Sequence, residues 1–177
     1  MTSRSSSSTL LRRHIGQRLA AYYAQPSEVV VGSAASPPDF RRLLGEWHWK
    51  QVYRRLYRDQ EGQWLTPVEL FQPYFSNILA EFVTQNTRYG TDGNVEPLEI
   101  IELGCGRGTN AQCLLTHLQT AHPAVYDRLS SYTLVDASPT LHELQQQRLL
   151  DSSVVGTLHS DKLRFVQQDL SEVADSK

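Results

Sequence analysis

A glycine-rich turn is the segment of this 177-residue chain whose residue types are best suited to hold a ligand. It follows an apolar run at residues 98–103, precedes a helical pattern, and its glycines are Gly104, Gly106 and Gly108. Glycines let the backbone approach a ligand closely, and the N–H groups of the following helix point towards it. We therefore predict a cofactor-binding turn that includes these three glycines and Cys105.

Two details of the turn favour S-adenosylmethionine over a dinucleotide. The glycines are spaced G-x-G-x-G, and Thr109 stands where the dinucleotide fingerprint has its third Gly or Ala. Glu102 precedes the first glycine by two positions, and its carboxylate would repel a pyrophosphate but attract the α-ammonium group of S-adenosylmethionine. A sulfonium ligand requires no basic residue in the turn, so we interpret Arg107 as exposed or paired with an acid. A nicotinamide dehydrogenase remains the alternative for such a turn.

Asp136 is the second acid that follows an apolar run. A carboxylate at this position can accept hydrogen bonds from both ribose hydroxyls of an adenosyl ligand. It could instead be a solvated acid beside a helix start, where negative charge is favourable. We predict the ribose role and include Ala137, the next residue, in the site.

Asp169 follows a third apolar run, at residues 163–166. An acid there can meet the exocyclic amine of adenine, and the backbone of Leu170 would lie nearby. The alternative is a surface acid in a polar tail. Because parallel strands end at one edge of their sheet, we expect Glu102, Asp136 and Asp169 to converge.

The order of apolar patterns predicts the fold that positions these acids. Runs at 98–103, 132–135 and 163–166 read as strands, and helical spacing follows each of the first two. This alternation predicts an α/β, Rossmann-like sheet over residues 98–177, limited to its first three strands and their helices. The chain ends at Lys177, so we expect the fold to be incomplete.

Residues 39–97 form a helical region before that sheet. The stretch 39–59 predicts one long helix or two short ones, and 86–97 predicts a loop. Thr66 is a predicted N-cap, with Pro67 at the first helical position and Glu69 reaching back to the backbone N–H of Thr66. We expect Pro73 to kink the helix that begins at Pro67.

The amino terminus has a composition of its own. Residues 1–31 form a basic, Ser-rich segment with no acid before residue 26, and apolar residues recur in it at helical spacing. Such a segment is typical of an organellar transit peptide, although a basic tail is the alternative. Residues 32–38 contain Pro37 and Pro38 and predict a linker.

Three sequence blocks resemble class I methyltransferases, and more narrowly the MidA family. Residues 102–109 match that family's E-L-G-P-G-R-G-T with Cys105 in place of proline; residues 62–69 resemble G-D-F-x-T-S-P-E, and residues 134–139 resemble L-V-E-x-S-P. The resemblance implies a mitochondrial protein-arginine methyltransferase linked to complex I assembly, with S-adenosylmethionine as cofactor. It also implies that residues 66–69 lie near the cofactor and that Glu69 contributes to the site. No residue is assigned a catalytic role.

Two functional alternatives remain at this point. The first is a non-catalytic, truncated protein that binds the cofactor or a partner, and the second is a small-molecule methyltransferase. The Gly-Tyr-Tyr region usual before the second block is replaced here by the Trp-rich stretch 47–57, and no strand that would face a methyl acceptor follows residue 166.

Composition excludes several classes of function. A net charge of −2 gives no general attraction to nucleic acid, and no apolar run is long enough to span a membrane. Cys105 and Cys113 are too far apart for a disulfide if the second lies on a helix, so we predict free thiols in a mitochondrial or cytoplasmic compartment. With His117 and His122 they match no zinc spacing, and we predict no metal site.

Overall fold

The computed structural model describes residues 14–15, 17–18, 22, 38–58, 65–87, 97–150 and 160–168. Most of the predicted leader, residues 32–37 of the linker, and residues 62–64 of the second sequence block lie outside the described residues. Asp169 and Leu170 also lie outside them, so their predicted contacts with adenine stay predictions.

Three parallel strands form the sheet, in the order β1 (Leu98–Leu103), β2 (Leu129–Asp136) and β3 (Leu163–Gln167). The register pairs Glu102 with Leu134 and Asp136 with Gln167, so the carboxyl ends of the three strands lie side by side. All three predicted strands are confirmed, with β2 longer than its apolar run. The helices between them complete an α/β, Rossmann-like arrangement, which confirms the predicted fold class.

Helices α4 (Thr109–Ala121), α5 (Pro123–Arg128) and α6 (Pro139–Leu150) connect the strands. The predicted face of α4 is its buried face, with Ala111, Leu114, Leu115 and Leu118 all in the core. Full burial of each such leucine contributes about 1.5–3 kcal/mol. At α6, the hydroxyl of Ser138 accepts from the N–H of Leu141 at 3.3 Å, as expected of an N-cap.

The amino-terminal region contains a 3₁₀ turn (Phe40–Arg42) and helices α1 (Glu46–Arg58), α2 (Pro67–Leu70) and α3 (Tyr74–Asn86). Gly45, at φ 109°, separates the turn from α1, so the stretch holds one three-residue turn and one 13-residue helix, which matches neither predicted alternative fully. The predicted kink at Pro73 is wrong. Proline has no N–H and crowds the carbonyl four residues earlier, and the chain leaves the helix at Leu70 and starts a new one after Pro73.

Strand β1 has two different faces. Leu98 and Ile100 pack against the core, whereas Ile101 and Leu103 point away from it and are 64% and 61% exposed. On α3, Ile78 is 70% exposed. Among the described residues, no helix is both long enough and apolar enough to cross a membrane.

Candidate cofactor-binding site

The glycine turn adopts a backbone conformation that other residues rarely take. Gly104, Gly106 and Gly108 have φ angles of 70°, 55° and 77°. A side chain would cost roughly 1–2 kcal/mol at such an angle. An added Cβ would meet nothing within 4 Å at Gly104 or Gly106, whereas at Gly108 it would lie 3.2 Å from Leu149 Cδ1. The first two glycines therefore present open backbone, and the third fits tightly against α6.

Hydrogen bonds fix this turn to its neighbours. The N–H of Gly104 donates to the carbonyl of Val135 at 2.9 Å, which ties the turn to β2. The side chain of Gln145, on α6, donates from Nε2 to the carbonyl of Gly106 at 2.8 Å. Gln145 is fully buried and was not predicted as a site residue. The sequence feature that could have indicated its role is a polar residue on the apolar face of α6, four positions before Leu149.

Glu102 lies at the carboxyl end of β1 with neutral partners. Its carboxylate accepts hydrogen bonds from Asn110 Nδ2 at 3.0 Å and from the hydroxyl of Tyr132 at 2.7 Å. Burial raises the pKa of Glu102, and the charge of Asp136 raises it further, while the two hydrogen bonds act in the opposite direction. Burial also raises the pKa of Tyr132 well above its usual value, so Tyr132 is a donor.

Asp136 lies at the end of β2 and joins that strand to the glycine turn. Its Oδ1 accepts from the N–H of Ser138 at 3.0 Å, and its carboxylate also accepts from the backbone of Gly106 and Ala137. Burial raises the pKa of Asp136, although these backbone donors oppose the shift. A carboxylate has about four lone-pair sites, so capacity remains for a ligand.

Two of the three predicted acids therefore meet as expected. Glu102 and Asp136 lie at the ends of neighbouring strands, next to the glycine turn, and their charges interact. Their binding of a cofactor stays a prediction, as it does for Gly104, Cys105, Gly106, Gly108 and Ala137.

Cys105 is held inside the turn as a protonated thiol. Its Sγ donates to the carbonyl of Val135 at 3.3 Å. Burial, reinforced by the charges of Glu102 and Asp136, raises the pKa of Cys105 to about 12. A thiol in this state is a poor nucleophile. Both Cys105 and Cys113 are free, which confirms the prediction of two thiols.

Glu69 joins the site in a way that corrects the predicted capping box. Thr66 is the N-cap of α2 and accepts from the N–H of Glu69 at 3.4 Å, as predicted. The carboxylate of Glu69 does not return to Thr66: its Oε1 accepts from the hydroxyl of Thr109, at the start of α4. Glu69 is 2% exposed, and its Oε2 has no hydrogen-bond partner among the described residues. The carboxylate of Glu69 bonds to Thr109 because that hydroxyl is buried, whereas the backbone N–H of Thr66 lies closer to solvent.

Comparison with protein families identifies the group to which this sheet and turn belong. Residues 77–176 match the family described as "Putative S-adenosyl-L-methionine-dependent methyltransferase". The match covers more than half of the chain and includes α3 from residue 77 onwards, the turn and all three strands. The chain belongs to this family. The cofactor predicted from the turn, S-adenosyl-L-methionine, is confirmed as that of the family.

Solved structures are also similar to part of the chain. One of them is a COG1565 superfamily member from Burkholderia thailandensis, bound to S-adenosyl-homocysteine, with 29% sequence identity and a TM-score of 0.46. The similarity covers 62% of this chain and 25% of that protein, so the present chain spans about a quarter of that protein's length. No curated protein matches this chain.

Proposed function

We propose that this chain supplies the S-adenosylmethionine-binding part of a MidA-type methyltransferase. Its substrate would be an arginine side chain of a protein, in the mitochondrion and in connection with complex I assembly. One observation carries the proposal: Glu102 and Asp136 lie at adjacent strand ends around a turn with three left-handed glycines.

The residues of this turn fit a cationic adenosyl ligand. Glu102 is a half-buried carboxylate whose hydrogen-bond partners are neutral, and Asp136 adds a second negative charge nearby. Two anions in this setting oppose a pyrophosphate and attract an ammonium group. The open backbone at Gly104 and Gly106 leaves space on the side where a ligand would lie.

The chain's contribution to methyl transfer would be positional. When bound, S-adenosylmethionine supplies an electrophilic methyl group on its sulfonium. Glu102 would hold the ammonium and Asp136 the ribose hydroxyls, which together fix the rest of the ligand against the turn. Holding the nucleophile and the methyl in line accounts for much of the acceleration in such a displacement.

An arginine substrate also has to be oriented and to lose a proton. Glu69 is an acid beside the turn, but it is 2% exposed and bonded to Thr109, so we propose that it positions the start of α4 and does not touch the guanidinium. The arginine substrate and the mitochondrial location rest on the sequence resemblance and on the acid-poor leader at residues 1–31.

Calorimetry with S-adenosylmethionine and the full chain tests the cofactor site. We expect saturable binding that weakens at least about tenfold in Glu102→Gln and in Asp136→Asn, because each loses a charged hydrogen-bond acceptor. Glu99→Gln removes an exposed carboxylate from the same strand and should bind like the wild type. Saturable NADH binding, or no heat with S-adenosylmethionine, would contradict the proposal.

Labelled S-adenosylmethionine tests the substrate. After incubation of the chain with mitochondrial protein, hydrolysis should release labelled methylarginines. Label in a small molecule would refute the arginine proposal and leave the cofactor site intact.

A fluorescent fusion of residues 1–31 should enter mitochondria and lose this location in an Arg12→Glu, Arg13→Glu variant.

A non-catalytic, partner-binding protein is the second candidate. The exposed apolar side chains of Ile101 and Leu103 on β1, with Ile78 and Phe82 on α3, favour it. Such a protein would show no transfer of label from S-adenosylmethionine to any acceptor.

A further inference from the structure

Two histidines and a glutamate converge at the end of α4 that lies away from the glycine turn. Nε2 of His117 and Nε2 of His122 each lie 2.8 Å from Oε1 of Glu81. One ligand atom from each residue lies within 4.8 Å of the other two. In the part of the chain that the structure describes, no other trio of His, Cys, Asp or Glu side chains comes together in this way.

Packed secondary structure holds the three side chains in place. Glu81 follows Ala80, which is fully buried where α3 packs against the core. His117 lies in the last two turns of α4, and His122 is the single residue between α4 and α5. The two imidazole rings stand nearly edge to face, with centroids 5.7 Å apart. None of the three residues depends on a long loop for its position.

The hydrogen bonds of the trio fix its protonation pattern without metal. The carboxylate oxygen of Glu81 is the acceptor that the two rings share. Each Nε2 must therefore donate a proton to the same oxygen. A metal ion would take the place of the proton on each Nε2, and each neutral imidazole would then carry its one proton on Nδ1.

We propose that Glu81, His117 and His122 form a binding site for a divalent transition metal, with Zn²⁺ the ion that fits best. Two imidazole nitrogens and one carboxylate oxygen, with a water molecule, make a four-coordinate zinc site. Such ligands lie about 2.0–2.2 Å from zinc, hence roughly 3.3–3.5 Å from one another. The two contacts of Oε1 would lengthen by about 0.5 Å, and the two Nε2 atoms, which lie within 4.8 Å of each other, would take the same ligand spacing through small side-chain rotations.

Exposure and ligand type both support this assignment. The side chains of His117 and His122 are 22% and 25% exposed and that of Glu81 is 44% exposed, so an ion can enter and a water can complete the site. Nitrogen ligands favour zinc, copper or nickel and disfavour calcium and magnesium, which prefer oxygen. The sequence prediction was for no metal site, and this proposal departs from it.

The ion would act as a clamp rather than in methyl transfer. Eight helical residues separate Thr109 from His117, about 12 Å along α4. Glu69 bonds to α4 at the first of these positions and Glu81 at the second. A metal at Glu81 would fix α3 on α4 and so help to keep the preceding α2, with Glu69, beside the cofactor turn.

The test is zinc titration of the tag-free, chelator-treated full chain. We expect one saturable site and a rise of about 5 °C or more in the thermal midpoint at saturating zinc. His117→Gln and His122→Gln should each weaken zinc binding at least about tenfold. His48→Gln, which changes a histidine on α1, is the matched control and should bind zinc as the wild type does.

Chemical labelling of the wild type provides a readout that does not depend on variant folding. Zinc should protect His117 and His122 from diethylpyrocarbonate, as followed by mass spectrometry, and leave His48 reactive. The proposal would be overturned by the absence of saturable zinc heat, or by zinc binding in both glutamine variants that equals that of the wild type. Labelling of His117 and His122 that zinc leaves unchanged would overturn it as well.

Discussion

The two ends of helix α4 bind their neighbours by different means. At the amino end, the backbone conformation of a contiguous turn, residues 104–108, creates the site, and acids from adjacent strands surround it. At the other end, the contacts come from side chains of three elements, with Glu81 36 residues before His117. The first arrangement depends on local φ angles and the second on how α3 packs against α4.

This difference determines what each end tolerates. A side chain in the turn meets both a disfavoured φ angle and, at Gly108, the packed side chain of Leu149. At the histidine end, partly exposed polar side chains can rearrange, because water replaces the bonds they lose. We therefore expect substitutions to have large effects on the turn and, without metal, small effects on the histidine cluster.

Gly108→Val should give the largest effect. A β-branched residue at φ 77° with a Cβ contact of 3.2 Å combines backbone strain with overpacking, for a loss of about 3 kcal/mol in the free energy of unfolding. Urea unfolding followed by circular dichroism measures it. Gly45→Val is the control, since Gly45 has φ 109° but no atom within 4 Å of an added Cβ. An equal loss in both variants would show that packing against α6 does not matter.

The pH dependence should separate ligand affinity from stability. Because folding raises the pKa of Glu102, its contribution to stability is present at low pH and is lost as pH rises through the folded pKa. An ammonium ligand needs the ionised form, so S-adenosylmethionine affinity should fall by up to about tenfold per pH unit below that pKa. Calorimetry at a series of pH values, over the range in which carboxyl groups titrate, measures this slope, with Glu102→Gln as the control. The expectation fails if affinity, and the stability of the wild type relative to Glu102→Gln, change in the same direction with pH.

The same contrast explains how much of the molecule the sequence could predict. The turn, the three strands and the positions of Glu102 and Asp136 followed from short contiguous patterns. The resemblance implied only that Glu69 lies near the cofactor, not that it contacts Thr109. The capping box predicted the wrong partner for the Glu69 carboxylate, because the buried contact with Thr109 is favoured over the local hydrogen bond to Thr66. The cluster around Glu81 depends on the rotation of α3 against α4, which no spacing within either helix reveals.

Gln145→Leu should have an intermediate effect. It removes the hydrogen bond to the carbonyl of Gly106 and leaves that carbonyl without this donor, so we expect a loss of about 1 kcal/mol in stability and a few-fold weaker cofactor binding. Gln147→Leu, at an exposed position of the same helix, should leave both unchanged. Identical behaviour of the two variants would show that the turn keeps its shape without Gln145.

Glu81→Gln should have the smallest effect on the metal-free protein. The amide oxygen can still accept from His117 and His122, and partly exposed contacts of this kind contribute little. Its thermal midpoint in the presence of a chelator should therefore match that of the wild type. In excess zinc, the midpoint of the wild type should rise and that of the variant should not. A large loss of stability with chelator present would instead mean that the hydrogen bonds of Glu81 hold α3 on α4 without metal. Substitutions at the two ends of α4 would then have similar effects on stability.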